Sequence, residues 1–218
     1  MYLFRHYPKR YNMFNIASMN IILASQSPRR LTLLQATGYK VNVCPSHINE
    51  VAKAGESTQE MTLRLCKEKA EAYAFSSDEA VVPVIAADTL VAAGDEALGQ
   101  PKDLIEAKVM IQKLSGKQHQ VHTAVCVRVG DVYKTSVVTT SVSFREITGE
   151  EIDVYLRHND ILDKAGAYAI QGGASSFIVA MDGPLDNVIG LPILQTKSLL
   201  RDAMAEAGQQ AKELMVGI

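Results

Sequence analysis

Arg29 and Arg30 follow Ser25-Gln26-Ser27-Pro28 and stand between the apolar runs Ile21-Ile22-Leu23 and Leu31-Thr32-Leu33-Leu34. The order spells a strand, a polar turn and a helix start. Ser27 is suited to cap the helix and Pro28 to its first position. A helix N-terminus presents free N–H groups and a partial positive charge. Guanidinium forks match phosphate oxygens. The bland reading is a solvated pair in the first turn, yet arginines there oppose the helix dipole, a cost that an anionic partner removes. The chemistry indicated is polyphosphate binding. No Walker-type or dinucleotide-type glycine pattern is present, so this is another kind of phosphate cradle.

Asp88 interrupts the apolar run Ile85-Ala86-Ala87-Asp88-Thr89-Leu90-Val91. A carboxylate is rarely buried without a partner. A hydrogen-bonded structural Asp is one reading. The other is a general base or a ligand for a hard cation, which placement at a strand's carboxyl end in an α/β fold favours. Glu50, in Ser46-His47-Ile48-Asn49-Glu50, is alone an ordinary loop acid; with Asp88 it makes an acidic pair for Mg²⁺, which takes a few carboxylate oxygens plus substrate phosphates. Lys67 and Lys69 flank Glu68 on a long helix, either solvated or with one reaching a phosphate. Gln171, in a glycine-containing loop, has the donor and the acceptor needed to read a base edge. His119 and His122 lie three apart on an expected strand and so face opposite sides, which argues against a zinc pair.

These side chains need a scaffold. Strands are expected over Ile21–Ser25, Tyr39–Cys44, Ala80–Ala92 and Ser176–Met181, with a hairpin of His119–Val129 and Val132–Phe144 turning at Gly130-Asp131. Helices are expected over Pro28–Ala36, closed by Gly38; over Thr58–Phe75, with Met61, Leu65, Ala72 and Phe75 inward; over Leu104–Leu114, capped by Asp103; over Glu150–His158, capped by Thr148; and over Pro192–Ala207. Strands alternating with helices, plus one antiparallel hairpin, predict a mixed α/β sheet.

The 218 residues suffice for one compact unit over 20–218, with 1–19 as an extension. That extension lacks an apolar h-region, so a secretory signal is not expected; it also lacks acids, which leaves an organelle-targeting reading beside the favoured one of an extension outside the fold. A net charge of −2 gives no basic surplus for nucleic acid, and no run reaches the length of a membrane span. Three widely spaced cysteines (Cys44, Cys66 and Cys126) fit free thiols in a reducing compartment. A cytoplasmic location is expected.

Five segments occur in order between about Ile21 and Leu200. They are Leu23-Ala24-Ser25-Gln26-Ser27-Pro28-Arg29-Arg30; Ala87-Asp88-Thr89; Leu114-Ser115-Gly116 with His119-Gln120-Val121; Asp163-Lys164-Ala165-Gly166-Ala167-Tyr168-Ala169-Ile170-Gln171-Gly172; and Val188-Ile189-Gly190-Leu191-Pro192. Together they resemble the Maf family of nucleoside triphosphate pyrophosphatases. The resemblance implies a mixed twisted sheet flanked by helices, in two lobes around a central cleft, related to inosine triphosphate pyrophosphatases. It implies a divalent cation (Mg, Mn or Co), cleavage between the α- and β-phosphates, and Asp88 as proton acceptor. Ser25, Arg29, Arg30 and Lys69 match positions of the phosphate-binding cleft, and Arg29, Thr89 and Gln171 match positions linked to substrate choice. The Ala-Tyr-Ala-Ile-Gln-Gly version is similar to the branch acting on dTTP and UTP, with modified pyrimidines a further class. A homodimer is expected by resemblance.

Two departures stand out. Gln100 precedes Pro101 where the family usually has Lys, with Lys102 the candidate substitute, and Asn49 precedes Glu50 where an acid is usual. Two rival expectations follow: a nucleotide-binding regulator of cell division with little catalysis, and a house-cleaning enzyme directed at inosine triphosphate.

Overall fold

The computed structural model describes residues 19–75 and 82–216. Nearly all of the expected extension over 1–19, and the start of the strand expected from Ala80, lie outside these. The strands are β1 (Asn20–Leu23), β2 (Lys40–Val43), β3 (Val84–Ala93), β4 (Glu96–Leu98), β5 (Gln118–Val129), β6 (Val132–Phe144) and β7 (Ile178–Asp182). The helices are α1 (Pro28–Gln35), α2 (Thr58–Glu71), α3 (Leu104–Leu114), α4 (Gly149–His158), α5 (Leu185–Ile189) and α6 (Ile193–Val216). One seven-stranded sheet runs β2-β1-β3-β5-β6-β7, with β4 added to β3. The β2-β1-β3 pairs are parallel and all others antiparallel.

Alternation along the strands divides the core. Ile21, Leu23, Ile85, Ala87, Val125 and Val127 face one side and pack with Leu34, Leu199 and Ala203. Their neighbours Ile22, Ala24, Val84, Ala86, Ala124 and Cys126 face the other side and pack with Cys66 and Ala70 of α2. Such period-two sorting is what a sheet covered on both faces requires. The long strands β3, β5 and β6 then run on into a second lobe, where Val91, Val121 and Phe144 join Ile111, Ile152 and Tyr155 of α3 and α4. β1 pairs with β3 only as far as Leu23↔Ile85. Beyond that point β3 has no strand neighbour among the described residues on its β1 side until β4 joins at Val91. This gap between the lobes opens the cleft.

Local chemistry explains most boundaries. Ser57 and Glu60 form a reciprocal capping box on α2, and Thr148 and Glu151 form another on α4. α2 ends at Glu71 rather than at the expected Phe75, and the cause lies far away in sequence. The Arg128 guanidinium donates to the carbonyls of Ala70, Glu71 and Tyr73 and sits 4.5 Å from the Phe75 ring, so it caps the helix C-terminus. β4 and α5 were outside the expected elements: at three and five residues they are too short for periodicity to show.

His119 and His122 do point to opposite sides. His119 is 3 % exposed, hydrogen-bonded through Nε2 to the Tyr168 hydroxyl at 2.9 Å, while His122 meets Thr139. Burial holds the His119 imidazole at about 4, below its ordinary 6.5. Unfolded chains take up this proton below pH 6.5, whereas the folded protein does so only near pH 4. Stability from this group is therefore complete above that window and lost on falling through it, by about 3 kcal/mol in all. His119→Gln should flatten the loss of unfolding free energy between those limits; a slope equal to wild type would contradict it.

Candidate active site

The turn after β1 builds an anion cradle. Ser27 caps α1 by accepting the Arg30 N–H at 3.5 Å, and Ser25 Oγ accepts the Ser27 N–H at 3.2 Å. The side chain of Arg30 is almost fully committed. It donates from Nε to the Gly190 carbonyl (2.8 Å), from Nη1 to Ser25 Oγ (3.1 Å) and from Nη2 to Thr89 Oγ1 (3.0 Å). Gly190, which ends α5, has φ +121°, a backbone region that L side chains rarely adopt. Arg29 is the opposite case: its Nε and Nη1 are buried and have no partner among the described residues. Burial lowers the Arg29 pKa, and the nearby Asp163 and Tyr155 oppose that shift. One arginine is thus a brace, and the other offers free donors.

Asp88 sits in the middle of β3, opposite Ala124, not at the strand's end as expected. It lies three residues past the end of the β1–β3 pairing at Ile85, and this places it at the carboxyl end of the parallel part of the sheet. Adjacent residues on a strand face opposite ways, so Asp88 turns to the α2 side and Thr89 to the α1 side. Asp88 is 4 % exposed. Its Oδ1 accepts from Lys69 Nζ at 2.5 Å, and the same ammonium lies 2.7 Å from Glu50 Oε1. Asp88 Oδ2 is buried without a partner among the described residues. A buried carboxylate oxygen left unpaired is costly unless something else binds it.

A buried polar chain lies behind Thr89. Thr123 Oγ1 donates to the Asn187 carbonyl at 2.8 Å, which uses its one proton. The 3.0 Å contact between the Thr89 and Thr123 hydroxyls must then be donated by Thr89. Thr89 is therefore an acceptor towards Arg30, and its orientation is fixed from the interior. Asn187 Nδ2 donates to the Val121 carbonyl and to Thr140 Oγ1, both at 3.0 Å. None of Thr123, Thr140, Asn187, Gly190, Asp163 or Tyr155 was singled out from the sequence for a role of its own. Thr123 gives no such signal as Asp88, since it follows Gln118, His119, Gln120 and His122 in the polar half of β5.

One cleft gathers Ser27, Arg29, Arg30, Glu50, Lys69, Asp88, Thr89 and Gln171. Ser25 is 7 % exposed and does not line it; it stands behind Arg30. Lys67 and Lys102 are exposed elsewhere, so Lys102 does not replace the usual lysine. Gln100 does line the cleft and donates to the Asp163 carbonyl at 3.3 Å, tying the β4 side to the glycine-rich loop. That loop lies close against β3: Gly166 has φ +68°, and a Cβ there would come within 2.9 Å of Val91 Cγ2. Among the described residues no group of three or more His, Cys, Asp or Glu side chains could hold a metal ion. The unpartnered Asp88 Oδ2 and the Glu50 carboxylate do suit a hard cation that takes its remaining ligands from water and phosphates.

The fold is an open α/β sheet with guanidinium donors at a helix N-terminus and a lysine-held acid across one cleft, an arrangement that suits a polyphosphate. The chain matches the family described as Maf-like protein over residues 20–203. It is 43 % identical over 187 residues to the dTTP/UTP pyrophosphatase of Anaeromyxobacter dehalogenans (strain 2CP-1 / ATCC BAA-258), covering 84 % of this chain and 93 % of that protein. It is 42 % identical to the dTTP/UTP pyrophosphatase of Myxococcus xanthus (84 % and 92 % covered) and 39 % identical to that of Vibrio parahaemolyticus (85 % and 97 % covered). A solved structure, the Ham1 protein of Staphylococcus aureus, overlaps at TM-score 0.39 and 19 % identity, covering 60 % of this chain and 72 % of that one. The chain belongs to the Maf-like family.

Proposed function

We propose that this protein hydrolyses the α–β phosphoanhydride of pyrimidine nucleoside triphosphates, dTTP and UTP above all and modified pyrimidines besides, releasing the monophosphate and pyrophosphate. The observation that carries this is the confrontation, in one cleft, of free Arg29 donors with the unpartnered Asp88 Oδ2. The relatives named dTTP/UTP pyrophosphatase, similar over most of the chain, support the substrate class.

Asp88 is the proton acceptor. Lys69 holds Oδ1, which leaves Oδ2 to take the proton of a water attacking the α-phosphorus. The P–O bond to the bridging oxygen breaks, and pyrophosphate leaves with the bond pair. Arg29, Arg30, Lys69 and the N–H groups at the start of α1 stabilise the charge that grows on the phosphate oxygens. Gln171 and the turn around it read the pyrimidine edge. Glu50 and one lone pair of Asp88 Oδ2 would hold Mg²⁺, Mn²⁺ or Co²⁺, which supplies a bound water of lowered pKa and leaves the other Oδ2 lone pair for the proton.

A panel of canonical and modified triphosphates with pyrophosphate detection tests the reading. Pyrophosphate release from UTP and dTTP in excess over ITP and purine triphosphates is expected. Ligand-induced stabilisation without pyrophosphate would instead identify a nucleotide-binding regulator, and preference for ITP a different house-cleaning enzyme.

A further inference from the structure

The turn over residues 169–174 carries Gln171 and is organised around one residue. The Ala169 carbonyl accepts the Gly172 N–H at 2.9 Å and the Ala174 N–H at 3.4 Å, which closes the turn on itself. The Ala169 N–H points away from the turn, to the hydroxyl of Tyr155 at 3.1 Å. Tyr155 belongs to α4 and does not line the cleft.

The support beneath that hydroxyl is rigid. The Tyr155 ring is 5 % exposed and meets the Phe177 ring edge-on, with centroids 5.2 Å apart. Arg145 lies over the Phe177 ring, 5.6 Å from its centroid, and is held by Glu151, a capping residue of α4. Asn159, just past α4, donates to the Tyr155 carbonyl at 2.8 Å, and its side chain lies close under the turn. A Cβ on Gly172 would stand 3.3 Å from Asn159 Oδ1. The turn therefore rests on the C-terminal end of α4, tethered to it through one phenolic oxygen.

We propose that Tyr155 is a specificity-positioning residue: its hydroxyl fixes the height of the 169–174 turn and so the reach of Gln171 into the cleft. This rests on the proposed reading of Gln171 as the group that recognises the base. A hydrogen bond to the turn's first N–H sets where the following two residues stand. Gln171 can meet a pyrimidine only if that distance is held. The Tyr155 hydroxyl also lies near Arg29, but Arg30 and Lys69 are held from α1, β3 and α5, so loss of the hydroxyl should weaken base recognition more than phosphate binding.

The test compares Tyr155→Phe, Gln171→Ala and the double variant with wild type on UTP, dTTP, ATP and GTP. Inorganic tripolyphosphate, which has no base, serves as competitive inhibitor. Tyr155→Phe keeps the ring and its packing. Its KM for UTP and dTTP should rise roughly five- to tenfold, what one hydrogen bond is worth, with kcat within about twofold. Pyrimidine-over-purine discrimination should fall by the same factor, and tripolyphosphate inhibition should weaken by clearly less than that factor. The double variant should discriminate no worse than Gln171→Ala, because both changes act on one contact. Unchanged KM in Tyr155→Phe, equal weakening of tripolyphosphate, or additive losses in the double variant would each overturn the assignment. A wild-type enzyme without pyrimidine preference, or a Gln171→Ala variant that discriminates normally, would remove the reading beneath it and the inference too.

Discussion

Asp88→Asn should fold normally and lose roughly 10²–10⁴ in kcat, the usual contribution of a positioned acid–base group. The two side chains have nearly the same shape, so packing in β3 is kept. An amide oxygen can still accept from Lys69, and Lys69 retains Glu50 as its charge partner. The position of Oδ2 changes instead. In the native protein it is a buried oxygen with lone pairs and no partner. An amide NH₂ there has no lone pair to offer and cannot take a proton from water. Turnover followed by pyrophosphate release, with Tm read on the same samples, separates the effects. Near-wild-type kcat in a folded variant would eliminate Asp88 as the base.

Arg30→Lys should cost both stability and activity although the charge is kept. Arg30 joins three separate segments through Ser25, Thr89 and Gly190. A planar fork reaches three divergent acceptors, whereas one ammonium on a flexible stem does not. Bonds donated by a charged group contribute about 1.5–3 kcal/mol each, so losing one or two costs about 3 kcal/mol. For a chain of this size that lowers Tm by about 5–10 °C. Activity should fall further, by roughly 10²–10³ in kcat/KM, the scale for removal of a preorganised donor. Thermal melts and steady-state kinetics measure the two separately. A variant with wild-type Tm and kcat/KM would show that the three contacts are dispensable.

Where neighbours in the chain decide conformation, the amino-acid order was legible. Ser27-Pro28 starts α1, Asp103 and Thr148 cap α3 and α4, and Gly130-Asp131 turns the β5–β6 hairpin. Asp88 and the arginine pair also announced themselves, because a carboxylate inside an apolar run and two cations at a helix start both conflict with local preference. The end of α2 did not, since its cap is Arg128 from β5. Nor did the division of labour between the arginines. Arg29 and Arg30 are indistinguishable as letters, and only the positions of Gly190 and Thr89 make one a brace.

The sequence by itself determined α1, α3 and α4 with their caps, the hairpin, and a turn with paired arginines together with an anomalous acid in an apolar strand, because each depends on contacts within a few residues or on a period of two or 3.6. Only the tertiary structure decided that Lys69 holds Asp88 beside Glu50, that Thr123 and Asn187 orient Thr89, and that Tyr155 carries the turn with Gln171. Those contacts join residues that no periodicity relates. They exist because β1 stops short of β3 and leaves one gap between two lobes, into which distant segments must turn their polar groups.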